Sequence, residues 1–188
     1  MKKLIAIILT TILILCMTAC SCQKQDTAVT DPTGNPTAPK VNHLDGTMEE
    51  NVNKLMQANP AEFMGETMPL DLTDTSEDGL WKLKNRTGLD SAKDITDAAA
   101  YEPVTGSQAF SLVMVRVSKE ADPKTIAKQM KDNIDPRKWV CAMADQVMAA
   151  GYGDTVMFIM LDSNLGKTAQ SYVDAFQNLC GGKLDFTI

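Results

Sequence analysis

The chain has 188 residues, with 24 acidic against 18 basic side chains and a formal net charge of −6. That balance argues against nucleic acid as a partner, because neutralising phosphates takes clustered Lys and Arg, and against direct adhesion to anionic lipid heads. The length suits one domain, or a domain with a tail, and a hydrophobic content of 44% is ample for a core.

Lys2 and Lys3 open the chain with positive charge, and Leu4 to Leu15 reads LIAIILTTILIL. Such a run fits the apolar region of a signal peptide and is too short to cross a hydrocarbon core of about 30 Å as a helix. Met17-Thr18-Ala19-Cys20 then places small residues before a cysteine. This resembles a bacterial lipobox. The resemblance implies cleavage before Cys20, a diacylglycerol and a palmitate-type acyl chain on Cys20, and a lipid-anchored protein on the cell membrane facing away from the cytoplasm. Two or more acyl chains hold a protein on a bilayer, at about 0.8 kcal/mol per buried CH₂. Cys16 follows bulky Ile14 and Leu15 and leaves with the signal peptide, while Cys22 has no assigned role.

Residues 21–42 carry Thr, Asp, Asn, Gly and three prolines with almost no large apolar side chain, the composition of a flexible tether. The organisation expected is a signal peptide over 1–19, a lipid-anchored tether over 20–43 and a single α+β domain over 44–188, in which 44–90 either packs on the rest or forms a loosely packed extension. Thr47 and Glu50 form a capping box ahead of Met48, Val52, Leu55 and Met56 on one helical face, and Pro60 ends that helix. Residues 62–79 read as loop and LWKLK (80–84) as a short strand. Residues 94–104 read as helix from their alanines, or as strand from Ile95, Tyr101 and Val104. AFSLVMVRV (109–117) is a central strand. Asp122 and Pro123 start a second helix with Ile126, Ala127, Met130 and Ile134 buried, and Pro136 ends it. Two strands around Gly151-Tyr152-Gly153-Asp154 make a hairpin. Ser163 or Asn164 caps a last helix, Gly181-Gly182 stops it, and KLDFTI adds a final strand. The expected architecture is α+β: an antiparallel sheet of four to five strands with two or three helices on one face. If 94–104 is a strand, the order strand-strand-helix occurs twice, which suggests a structural duplication.

The lipobox, the Pro/Thr tether, TGLDSAKDITDAAAYEPV, FSLVMVRV, DPKTIAKQMKDNI and the strand pair around GYGD are similar to a group of small Gram-positive lipoproteins carrying a domain of unknown function, the family numbered 4358. The similarity is one of order and pattern over roughly residues 80–162. It implies location and fold and carries no activity.

The chemistry-bearing residues give weak patterns. His43, the single histidine, reads as a solvated linker residue, which leaves no Ser-His-Asp triad, and no Cys/His cluster has zinc spacing. LGKT (165–168) lacks the glycine a phosphate loop requires at Leu161. Asp74, Ser76 and Asp78 alternate before Gly79 like the first half of a calcium loop, although Lys82 and Asn85 stand where further oxygen ligands belong. Calcium is the one cofactor that this pattern suggests. The methionines read as core filling rather than copper(I) ligands. Cys141 and Cys180 are candidates for a disulfide. Trp81, Tyr101, Trp139 and Tyr152 are candidates for a ligand surface. The reading that follows is a non-enzymatic binding or adaptor domain for an envelope protein or peptide. The alternatives are a cell-wall or glycan-acting enzyme using carboxylates, and a calcium-dependent binding module.

Overall fold

The structure is a computed structural model describing residues 42–188; the expected signal peptide, Cys20 and most of the expected tether lie outside the described residues. Helix α1 (Met48–Ala58) starts where the Thr47 hydroxyl accepts from the Glu50 amide and the Glu50 carboxylate accepts from the Thr47 amide, each at 3.1 Å. This capping box satisfies two of the amides that a helix start leaves unpaired. A third, on Met48, donates to Asp97 Oδ2 at 2.8 Å and so ties the helix to the sheet. Met48, Val52 and Leu55 have no exposed surface, so the segment after residue 44 is an integral part of the fold and not a loose extension. Residues 42–188 belong to one compact unit.

Strand β1 (Gly65–Pro69) follows, in a stretch the sequence suggested was loop. Helix α2 (Glu77–Thr87) replaces the strand expected at 80–84. Its start is fixed by Ser76, whose hydroxyl accepts from the Gly79 amide, and its end by Gly88 at φ +73°, a left-handed cap that a side chain would strain. A strand would have buried Trp81 together with Leu83; the helix buries Leu83 with Gly79 and Thr87 and leaves Trp81 63% exposed.

Strands β2 (Ile95–Pro103) and β3 (Phe110–Val117) form a hairpin, helix α3 (Pro123–Asn133) follows, and strands β4 (Gln146–Tyr152) and β5 (Thr155–Leu161) form a second hairpin around Gly153-Asp154. The last helix starts later than Ser163 or Asn164. Those residues belong to a single 3₁₀ turn ended by Gly166 at φ +82°, and Thr168 caps helix α4 (Ala169–Leu179). Strand β6 (Phe186–Thr187) completes a six-stranded antiparallel sheet in the order β1-β2-β3-β5-β4-β6.

The α+β class with helices on an antiparallel sheet is as expected, with one more strand, but the helices cover both faces. Phe110, Leu112 and Met114 of β3 and Met157, Ile159 and Leu161 of β5 join α1 and α4 in one core. The alternate residues Val113, Val115 and Val117, with Val156, Phe158 and Met160, join Leu83 of α2 and Ile126 and Met130 of α3 in a second. The suggested duplication is one of order only. Helices α3 and α4 both pack on β4 and β5, from opposite sides, so no single rotation carries one strand-strand-helix unit onto the other.

Gly88 closes α2 directly against α3: a Cβ there would lie 2.6 Å from the Met130 carbonyl oxygen. Gly88→Ala is expected to destabilise the protein by more than the ~1 kcal/mol cost of a residue forced to positive φ, because the Met130 backbone must also move. Denaturant unfolding with an unchanged slope and a lower midpoint checks this.

Candidate functional site

Strand β2 points Ala98, Ala100 and Glu102 into the second core, so the last of these brings a carboxylate to an apolar face. Three groups answer it. Lys138, in the segment after α3, places its ammonium 2.6 Å from Glu102 Oε1, with its side chain only 4% exposed. Arg86 of α2 approaches Oε2 at 3.3 Å. Ser111 of β3 donates to Oε1 at 3.0 Å and accepts from Lys138 at 3.3 Å. The third Lys138 proton goes to the Asn85 carbonyl at 3.1 Å. Every donor of the ammonium thus has a protein acceptor.

Burial alone would raise the Glu102 pKa, but the charge and hydrogen bond of Lys138, with Arg86 and Ser111, hold it below the ordinary carboxylate value. Burial pulls Lys138 below the ordinary lysine value while Glu102 pushes it back up. The Ser111–Lys138 proximity does not make a nucleophile. Ser111 has no exposed surface, and the lysine lone pair that would activate it carries a proton shared with Glu102. The network is a structural rivet. It fastens the loop between α3 and β4 to the ends of β2 and α2.

That loop, the 104–109 turn and the approach to β1 share one end of the sheet. The Val104 amide donates to the Met64 carbonyl, and the Asp162 amide donates to that of Ala109. At this end Met64 is 79% exposed, Val104 58%, Val140 74% and Met143 49%. Apolar side chains held out on pinned loops form the candidate surface.

The residues singled out from sequence fall elsewhere or apart. Cys141 is exposed at φ +61° on the α3–β4 loop, whose Trp139 and Ala144 pack on the second core. Cys180 is buried in the first core at the end of α4. The sheet lies between those two cores, and both thiols are free. Burial also raises the Cys180 pKa to about 12. The aromatic residues do not converge: Tyr101 and Tyr152 border the first core, Trp139 the second, and Trp81 stands in solvent. Asp74 Oδ1 accepts from the Ser76 amide, and Ser76 caps α2. Asp78 lies within that helix and pairs with Lys82, so positions four to twelve of the supposed calcium loop are helical. Among the described residues no cluster of three or more His, Cys, Asp or Glu side chains is placed to hold a metal ion.

His43 is not a free linker residue. Its ring lies 2.9 Å from Asp154 Oδ2 and 2.9 Å from Arg116 Nη1. Arg116 also reaches Asp154 at 3.1 Å and the carbonyls of Leu44 and Gly46 at 2.8 Å each. This clamp sits at the opposite end of the sheet, over the β4–β5 turn.

Glu102 and Ser111 carried a usable sequence signal, each a polar residue at an inward position of an apolar strand. Lys138 and Arg86 carried none, since their partners are 36 and 16 residues away. No protein-family model, curated protein or solved structure matches the chain.

Lys138→Met leaves Glu102 with only Arg86 and the Ser111 hydroxyl and is expected to cost about 3 kcal/mol, whereas Lys138→Met with Glu102→Gln costs clearly less than the two single changes together. Because the folded-state pKa of Glu102 is lowered, its contribution is complete above the carboxylate's ordinary 4.5 and is lost as pH falls through the folded value. Thermal unfolding from pH 7 to pH 3 should therefore show the stability gap between wild type and Glu102→Gln closing on the acid side. Separately, Ser76→Ala should cost about 1 kcal/mol as a lost cap, by the same amount with and without millimolar calcium.

Proposed function

We propose that the chain is an extracytoplasmic lipoprotein, anchored through Cys20, whose domain binds a protein or peptide of the cell envelope and does not catalyse a reaction. The anchor rests on the charged start, apolar run and lipobox-like MTAC of the sequence. The binding role rests on one observation: Met64, Val104, Val140 and Met143 are exposed at one end of the sheet, on segments held from beneath by the Glu102–Lys138 network. Holding apolar groups in water on pinned loops gains no folding stability and suits a surface completed by a partner.

The acid chemistry favours this reading over a carboxylate-based glycosidase. A general acid working near neutrality needs a raised pKa. Among the described residues, Asp71, Asp74, Glu102, Asp122 and Asp145 are each displaced downward by hydrogen bonds or ion pairs.

Metabolic labelling with an alkyne fatty acid should mark the wild-type protein and leave Cys20→Ala unlabelled; labelling that survives the substitution would sink the anchor. For binding, the lipidated protein and a Val140→Glu/Met143→Glu variant should be compared as baits on solubilised membranes. An envelope protein retained by the first and lost by the second, with both baits equally folded, is the expected result. Equal recovery by both would remove the loops from the binding role.

A further inference from the structure

Strand β1 is an edge, and its register shows which backbone groups face outward. Leu70 donates to the Ala98 carbonyl and Val104 to that of Met64. With Glu66 opposite Glu102 and Met68 opposite Ala100, residues 64, 66, 68 and 70 therefore exchange hydrogen bonds with β2. Gly65, Thr67 and Pro69 turn their backbone groups away from it. The Tyr101 ring packs against Gly65. Thr67 N–H, Thr67 C=O and Gly65 C=O remain along the outer side, where among the described residues no strand pairs with them. Pro69 has no N–H to offer, so a ladder built outward stops there.

The side chains beside this edge are acidic and apolar in alternation. Met64, Glu66 and Met68 share the face of Glu102; Met64 is exposed and Met68 packs on the second core. Glu102 has Lys138 and Arg86, whereas Glu66, directly across from it, is exposed and forms no ion pair among the described residues. Past Pro69 a groove of about 280 Å³ opens towards α2, lined by Asp71 and Asp74 and, across from them, by Lys82 and Arg86. Those two cations are committed to Asp78 and Glu102. The charge left for an incoming chain is negative.

Resting on the binding reading above, we infer that β1 accepts an extended, basic segment of the partner as a further strand. Its backbone pairs with Thr67 and the Gly65 carbonyl. A Lys or Arg side chain faces Glu66, and apolar side chains two positions to either side lie beside Met64 and Met68. The chain's own residues 21–41 do not fit, because Pro32, Pro36 and Pro39 interrupt any ladder. A second copy would set one acidic edge against another.

The test is selection of a seven-residue display library on the purified protein, followed by titration of synthetic peptides made from the enriched sequences. Enrichment of a basic centre flanked at two-residue spacing by apolar positions is expected. Methylating the peptide amide that meets Thr67 C=O should weaken binding at least tenfold, while methylating the neighbouring amides should not. Thr67→Pro should weaken it similarly, and Glu66→Lys, a surface change with no folding cost, should shift the preference to acidic centres. No enrichment, a chain that pairs with itself in sedimentation, or peptides indifferent to N-methylation and to Glu66→Lys would each overturn strand addition. Peptides that ignore β1 yet lose affinity on Val140→Glu would overturn it while leaving the loop-binding reading in place. Failure of the membrane baits to differ would count against that reading alone.

Discussion

Strands β3 and β5 pair along their whole lengths, and neither has a side that water could wet. An antiparallel sheet often leaves one polar face to solvent, with apolar and polar residues alternating. Here Leu112 and Val113, or Phe158 and Ile159, are consecutive and equally buried. Cover is needed above and below, and the chain supplies two helices to each side. The rest of the topology follows. A strand-strand-helix unit that laid its helix back over its own hairpin, always on one side, would leave half of this surface exposed at about 25 cal/mol per Å². Helix α3 instead crosses to the neighbouring hairpin, and α1 closes the side on which α4 lies.

With both faces spent on packing, polar specificity is confined to the ends and edges of the sheet. At one end, Glu102 carries a charge into the apolar layer and is matched donor for donor by Lys138, Arg86 and Ser111. A buried pair of this kind is a weak source of net stability, because desolvation offsets most of the attraction, but it tolerates few alternative geometries. Its effect is to set where the segment from Ile134 to Asp145 runs, a stretch without regular structure that carries both Val140 and Met143. The exposed apolar groups are therefore displayed in a defined arrangement. The network links packing to the proposed binding role, although none of its members needs to touch a partner.

Sequence reasoning recovered what depends on neighbours within one turn or one hairpin. The capping box at Thr47, the Asp122-Pro123 helix start and the Gly153-Asp154 turn all stand where their local chemistry puts them. It failed where an element's identity rests on a distant surface. Leu80 to Lys84 alternates like a strand, and only Ser76 and Gly88 outside it, with the α3 surface against it, decide for a helix. The ambiguity over 94–104 has a similar origin. Ile95 and Tyr101 would share a face in an unbroken strand, but a bulge between Ile95 and Asp97 sends Ile95 into the second core while Tyr101 borders the first. The same limit hid the candidate surface. Val140 and Met143 look like ordinary core residues until the loop is seen to be anchored by the lysine beside them.

The two ends of the sheet are built differently, and Arg116 shows how. Its guanidinium spans the Leu44 and Gly46 carbonyls, the His43 ring and Asp154, so the path of the backbone from Asn42 to the α1 cap is fixed over the β4–β5 turn. A planar group with several donors can hold two carbonyls and a carboxylate at once, where a lysine could hold one such group well. The apolar loops lie at the far ends of the same strands, since β3 begins at Phe110 beside them and ends near Arg116. The clamped N-terminal approach and the exposed apolar loops thus lie at opposite ends of the same strands, which is the separation the proposed anchored binding role would call for.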